Sequence, residues 1–168
     1  MTQKISKSTL GLAAEYSVAG ELCRRNLYAQ LTLGNQKRTD ILVFSEDEEL
    51  TRIEVKAKQG REWPNCRGIY GSNIFIVFVD FHLKDPTSRP DFYILSVADW
   101  RRVLKKRIAE IHERNPEKII TIDPENVAIF EEEINRHGKP YRGMGIRASD
   151  LVRYQERWDK ILKAVKAA

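Results

Sequence analysis

Two cysteines, Cys23 and Cys66, are too few for a disulfide framework or a four-cysteine zinc site. The three histidines, His82, His112 and His137, lack metal-ligand spacing with one another. No apolar run approaches the roughly 20 residues that cross a bilayer, so no membrane partner is expected. Residues 1–9 carry two lysines and no apolar stretch of the kind a secretory signal needs, which makes the cytoplasm the expected compartment. Glycine motifs for phosphate are missing as well. There is no Walker A lysine motif and no GxGxxG, and Gly143-Met144-Gly145 is too short to stand for either. No serine or cysteine sits in a nucleophile motif.

What is present is enough apolar material, 42% of 168 residues, to fill one core. The expectation is a single domain over residues 1–168, with a core at about 8–114 and a C-terminal helical extension at about 115–168. Lys and Arg number 29 against 24 Asp and Glu, a net +5. That bias suits a polyanionic partner without identifying one, so the placement of the charges matters more than their sum.

Residues 8–26 read as a helix and 27–33 as a short strand stopped by Gly34-Asn35. Residues 39–44 and 50–57 form a hairpin around the acidic turn 45–49, and 58–72 read as a loop. The run IFIVFVDF at 74–81 suits a strand covered on both faces. A strand at 92–97 leads to a helix capped by Asp99 and running through Glu113. Beyond it the pattern suggests an edge strand at 119–122 and a partly helical segment at 126–137. A last helix, capped by Ser149, carries Leu151, Tyr154, Trp158, Ile161, Leu162 and Val165 as its core stripe. A helix, a run of antiparallel strands and then helices make the expected fold class α/β (α+β).

Three carboxylates sit where folding alone would not put them. Glu15 has Gly11, Leu12, Val18, Ala19 and Leu22 as helical neighbours, so it lies within the face expected to pack on the sheet. A basic partner, or a helix rotated enough to wet it, would be the bland explanation. Glu21, by contrast, has Ser17, Arg24 and Arg25 around it and reads as solvated. In the hairpin, pairing Phe44 with Leu50 and Leu42 with Arg52 sets Asp40 across from Glu54. Such a pair at about 5 Å repels by roughly 3 kcal/mol at an effective dielectric near 20. A hard divalent cation between them reverses the sign, and a one-residue slip of register would separate them instead.

Gly11-Leu12-Ala13-Ala14-Glu15 on a first helix, then Thr39-Asp40, then Glu54-Val55-Lys56 closing a hairpin, resembles the PD-(D/E)xK nuclease superfamily, whose restriction-endonuclease-like fold implies a central mixed sheet flanked by helices. Thr39 stands where that pattern often has proline, a small departure because the aspartate supplies the ligand. The resemblance covers about residues 8–79 and implies metal-dependent hydrolysis of phosphodiester bonds, with DNA the expected substrate. It implies Mg²⁺, with Mn²⁺ able to substitute, held by Asp40, Glu54 and the Val55 carbonyl. Glu15 would complete the metal environment directly or through water. Lys56 would contact the scissile phosphate and orient or help deprotonate the attacking water. Read without the resemblance, Lys56 is a plain cross-strand partner for Glu54. Two other functions fit the same pattern: a nuclease directed at RNA, and a nucleic-acid-binding or assembly module of this fold without hydrolysis.

After the motif come Lys58, Gln59, Arg61, Trp63 and Arg67, with Tyr70 close behind. Basic residues interleaved with aromatics can hold phosphates and stack on bases, so these residues are candidate nucleic-acid contacts. Gln59 is also a candidate for the metal's surroundings. An equally good account has the loop folded over the core with Trp63 as its anchor. Arg101, Arg102, Lys105, Lys106 and Arg107 line one helix as a phosphate-facing or simply solvated surface. The acidic tip 46–49 would repel a polyanion from the far end of the hairpin. With no targeting module visible, a homodimer or a partner protein is the expected source of specificity.

Overall fold

The all-apolar run in the middle of the chain organises the rest. In the computed structural model, which describes residues 4–32, 38–45 and 50–166, it forms the strand β5. The elements before it are α1 (Lys7–Cys23), β1 (Tyr28–Leu31), β2 (Ile41–Phe44), β3 (Leu50–Lys58) and β4 (Glu62–Cys66). From there the chain runs through β5 (Ile74–Asp80), β6 (Asp91–Ser96), α2 (Val97–Arg114), β7 (Ile120–Ile122) and β8 (Ala128–Ile134). It ends with β9 (Pro140–Arg142), β10 (Met144–Arg147), α3 (Ala148–Leu151), a 3-10 turn (Val152–Tyr154) and α4 (Asp159–Lys166).

The main sheet has the order β1-β2-β3-β5-β6 and is mixed: β3 runs parallel to β5, while the other pairs are antiparallel. Every residue of β5 is buried, and its alternate side chains serve two cores. Phe75, Val77 and Val79 join Ile53 of β3, Phe92 and Ile94 of β6, Ala14, Val18 and Leu22 of α1, and Ile161 and Val165 of α4. Ile76 and Phe78 face the other way with Tyr93, Leu95, Trp100, Leu104, Trp63, Met144 and Phe130. A period of two in an unbroken apolar strand thus gives a sheet covered on both faces, α1 and α4 on one and α2 with two small sheets on the other. The expected fold class is the one observed, with β3 and β5 parallel where the pattern suggests antiparallel strands throughout.

Several elements differ from the expectation. The loop at 58–72 contains β4, which pairs with β10 from about eighty residues later. Pro64 argued against a strand, but β4 has β10 as its one partner strand, where a missing N–H is tolerated. The segment at 126–137 is the strand β8, the middle of the three-stranded sheet β7-β8-β9, rather than partly helical. Ile129 and Glu131–Glu133 fit either period, and tertiary pairing decided between them. The part beyond residue 114 is therefore not a helical extension alone, since four strands precede its short helices. The last helix is broken: α3 and the 3-10 turn end before Glu156, which has a positive φ of 55°, and α4 starts afresh at Asp159. The stripe residues Leu151, Tyr154, Trp158, Ile161 and Val165 are still buried, divided between the two cores. At α2 the cap is Ser96, one turn earlier than expected, and Asp99 is its capping-box partner, each side chain bonded to the other's backbone N–H. The Gly34-Asn35 stop and the acidic tip 46–49 lie outside the described residues.

Candidate active site

The hairpin register falls where the alternation put it. Phe44 pairs with Leu50, Leu42 with Arg52 and Ile41 with Ile53, and the Asp40 N–H bonds to the Ile53 carbonyl at 2.9 Å. One further step sets Asp40 beside Glu54. The Asp40 carboxylate accepts a hydrogen bond from the Val55 N–H at 2.6 Å, so β2 ends with an acid built into the sheet.

Glu54 and Lys56 pair in register with Ile76 and Phe78 of β5, which places them on the sheet face opposite α1. Glu54 is only 4% exposed and forms an ion pair with the half-buried Lys56. Its second oxygen, Oε2, is buried with no hydrogen-bond partner among the described residues. A buried anion left half satisfied costs several kcal/mol, about the full desolvation penalty of the unmet group. Folding alone does not favour that state.

Three carboxyls are held above their ordinary pKa values. Burial raises Glu54, Asp40 adds to the rise, and Lys56 and Arg38 oppose it. Burial also raises Asp40, against the Val55 hydrogen bond and Lys56. Glu15 is raised by burial and then by the charge of Asp40. Glu15 therefore belongs to the Asp40 end of the site. Because α1 packs on the Ile53 face, Glu15 approaches from the other side of the sheet than Glu54. Consistent with that split, no group of three or more His, Cys, Asp or Glu side chains gathers to hold a metal among the described residues. The donors that do gather are the two carboxylates of Asp40 and Glu54, with an open Glu54 oxygen. Hard oxygens, two carboxylates and room for water fit the habits of Mg²⁺, which keeps several waters, better than those of a closed protein cage.

Glu54 and Lys56 form part of the wall of a cleft of about 460 Å³ completed by Arg38, Arg52, Asn65, Arg67, Tyr70, Ile74 and Glu125. A second cleft, about 760 Å³, shares Lys56 and Asn65 and extends past Gln59 and Glu62 to Lys4, Lys7 and Gly11 at the start of α1.

The candidate nucleic-acid contacts divide. Arg67 is exposed and lines the first cleft, and Arg61 is exposed in the turn between β3 and β4. Gln59 lines the second cleft, its side-chain oxygen accepting the Ile5 N–H at 3.0 Å. Lys58 is not a surface contact. It is 4% exposed, paired with Asp80 at 2.6 Å and placed over the Trp63 ring at 4.6 Å. Trp63 is 1% exposed, with its indole N–H donated to the Lys56 carbonyl at 3.1 Å, and no base can stack on it. Alternation along β3 puts Lys58 on the Glu54 face, but the neighbouring strand supplies Asp80 there and Trp63 of β4 lies over it. Arg102 and Arg107 of the basic helix are spoken for by Asp99, Glu110 and Asp150, and Arg101 by Asn126.

Arg38, Arg52 and Glu125 were not singled out from the sequence, while Tyr70 was named only beside the basic loop residues. Arg52 shares the Glu54 face by simple alternation, so its signal was legible. Arg38 and Glu125 are 87 positions apart, and nothing local announces their meeting.

No family model matches the chain, and no curated protein does. Among solved structures, a bacterial homing endonuclease is similar at 14% identity over 96% of each chain, with a TM-score of 0.48. No described helix is long and apolar enough to cross a membrane.

Proposed function

We propose that this chain is a metal-dependent nuclease of the PD-(D/E)xK type that hydrolyses phosphodiester bonds in DNA. The observation that carries this reading is the buried, half-satisfied Glu54 beside Asp40 and Lys56, on the wall of a cleft lined with arginines. A bound Mg²⁺ would supply charge for the phosphate and acidity for the attacking water. Asp40, fixed by the Val55 N–H, and Glu54, through its open oxygen, would hold it, with the Val55 carbonyl and Glu15 contributing directly or through water. Lys56 then exchanges its ion pair with Glu54 for the scissile phosphate and orients the attacking water. Its backbone is anchored for that task, because the buried Trp63 indole holds its carbonyl. Arg67, Arg61 and Gln59 extend the contact along the strand, at the cleft rim and toward Lys4 and Lys7.

The test is cleavage of duplex DNA, single-stranded DNA and RNA side by side, with Mg²⁺, Mn²⁺ or EDTA. Wild-type protein is expected to cut duplex DNA with either cation and not in EDTA. Asp40→Ala and Lys56→Ala are expected to be inactive while melting cooperatively. Cleavage retained in both variants overturns the assignment. Preferential cutting of RNA would correct the substrate, and salt-sensitive binding without cutting would select the binding-module reading.

A further inference from the structure

The cleft holds a second unmet polar group besides Glu54 Oε2. One guanidinium nitrogen of Arg38, Nη1, is buried without a partner among the described residues, while Nη2 donates to Glu125 at 2.7 Å. The face of the guanidinium lies 4.6 Å from the centre of the Tyr70 ring. A buried donor and a buried acceptor of opposite charge thus line one cleft, and each could satisfy the other. No Arg38–Glu54 pair forms. Glu125 and Tyr70 hold the guanidinium in the cleft wall, with Nη1 unmet just beneath its surface.

These two supports share an anchor. Asn126, next to Glu125 and with a positive φ of 59°, donates its side-chain amide to the Ile69 carbonyl at 2.7 Å, directly before Tyr70. Its own carbonyl accepts the Trp100 indole N–H at 2.8 Å, and its side-chain oxygen accepts from Arg101 at 2.7 Å. Gly68 leaves the room for this junction, since a Cβ there would collide with the Trp100 indole and the Asn126 carbonyl. One buried asparagine therefore locks together the segments carrying Glu125 and Tyr70.

We infer that Arg38, whose side chain is 20% exposed in this cleft, is a phosphate-binding side chain that turns its unmet Nη1 out to a phosphodiester oxygen of the nucleic-acid strand, and that Glu125 is its positioning residue. A planar fork with one arm committed and one free suits a tetrahedral phosphate at a fixed angle. The inference rests on the nuclease reading for its ligand, but its main test does not use cleavage.

That test measures the affinity for a DNA duplex in EDTA from about 50 to about 200 mM salt for wild type, Arg38→Gln, Arg38→Lys and Glu125→Gln. Arg38→Gln is expected to lower the log–log salt slope by about 1 and the affinity about 10- to 100-fold. Arg38→Lys keeps the charge and therefore the slope, so it controls for misfolding. Glu125→Gln is expected to bind at least as tightly as wild type, having lost a negative charge facing the strand, but to show a lowered kcat with Mg²⁺ because the guanidinium is no longer held. An unchanged slope in Arg38→Gln overturns the inference, and a wild-type kcat in Glu125→Gln overturns the positioning role. Wild-type protein that binds but cuts nothing overturns the nuclease reading alone, leaving the slope to decide Arg38. Wild-type protein that does not bind overturns both.

Discussion

Two buried glutamates, one on the first helix and one on a central strand, show how differently the same side chain is treated. Glu21 of α1 is 7% exposed, yet both its oxygens are met: Arg24 at 3.2 Å, Arg25 at 2.6 Å and Arg89 at 2.9 Å surround it. Arg89 continues to Glu156 at 2.8 Å, which joins the start of α4 to the network. The hydrogen bond from Arg89 leads in holding the Glu21 carboxyl down at about 2. Glu54 is as buried but has one lysine and an unmet oxygen, and its pKa is raised. The first acid is placed for folding and the second against it. That contrast, rather than burial itself, is what distinguishes a structural charge from a candidate functional one.

The contrast can be broken from either end. The largest effect expected is on chemistry: Asp40→Ala or Lys56→Ala should lower Mg²⁺-dependent cleavage on the order of 10³-fold, whereas Glu21→Ala should leave the rate per folded molecule unchanged. Initial rates on a labelled duplex measure this. Stability should respond the other way. Glu21→Ala strips three arginines of their shared partner and should cost about 1–3 kcal/mol, read as a melting temperature lowered by about 2–4 °C per kcal/mol in a chain of this size. Asp40→Asn relieves a buried anion and should instead stabilise the metal-free protein by about 1 kcal/mol. Added Mg²⁺ should raise the melting temperature of wild type and not of this variant.

The pH dependence carries the same opposition in sign. Asp40, Glu54 and Glu15 hold protons more tightly folded than unfolded, so stability falls as pH climbs through their titration, upward from ordinary values of 3.8 and 4.5. Glu21 holds its proton less tightly when folded. Its contribution is complete above 4.5 and is lost as pH falls toward about 2. Melting curves in EDTA across this range should flatten at the upper end in Asp40→Asn and at the lower end in Glu21→Gln. A common profile for both variants would remove the distinction between the two acids. The smallest effect is expected from Arg61→Ala: no change in melting, and a salt slope of DNA binding lowered by at most about 1.

Much of the site was legible because it is local. The alternation along β3 and the length of the hairpin turn set Asp40 beside Glu54 and put Lys56 on the same face, and the observed register agrees. Glu15 was marked by its apolar helical neighbours, though α1 brings it to the Asp40 end of the site from the sheet face opposite Glu54. Glu21 was misread as solvated because its decisive partner, Arg89, is 68 positions away. The same holds for Lys58, whose acid comes from β5, and for Trp63, covered by β10 and the second core. In each case the side chain's own segment looked open, and a distant segment closed over it.

Composition and short-range pattern by themselves determined the α/β class, a strand covered on both faces and the acid–acid–lysine triplet, because periods of two and 3.6 are properties of the backbone. Tertiary structure alone decided β4 and β8, where local preference was evenly balanced and pairing strands tipped it. It alone decided which charges are satisfied. Burial and partnership depend on contacts across the whole chain, so only the assembled fold separates Glu21 in its arginine cage from Glu54 with its unmet oxygen, and brings Arg38 to Glu125 in the cleft wall.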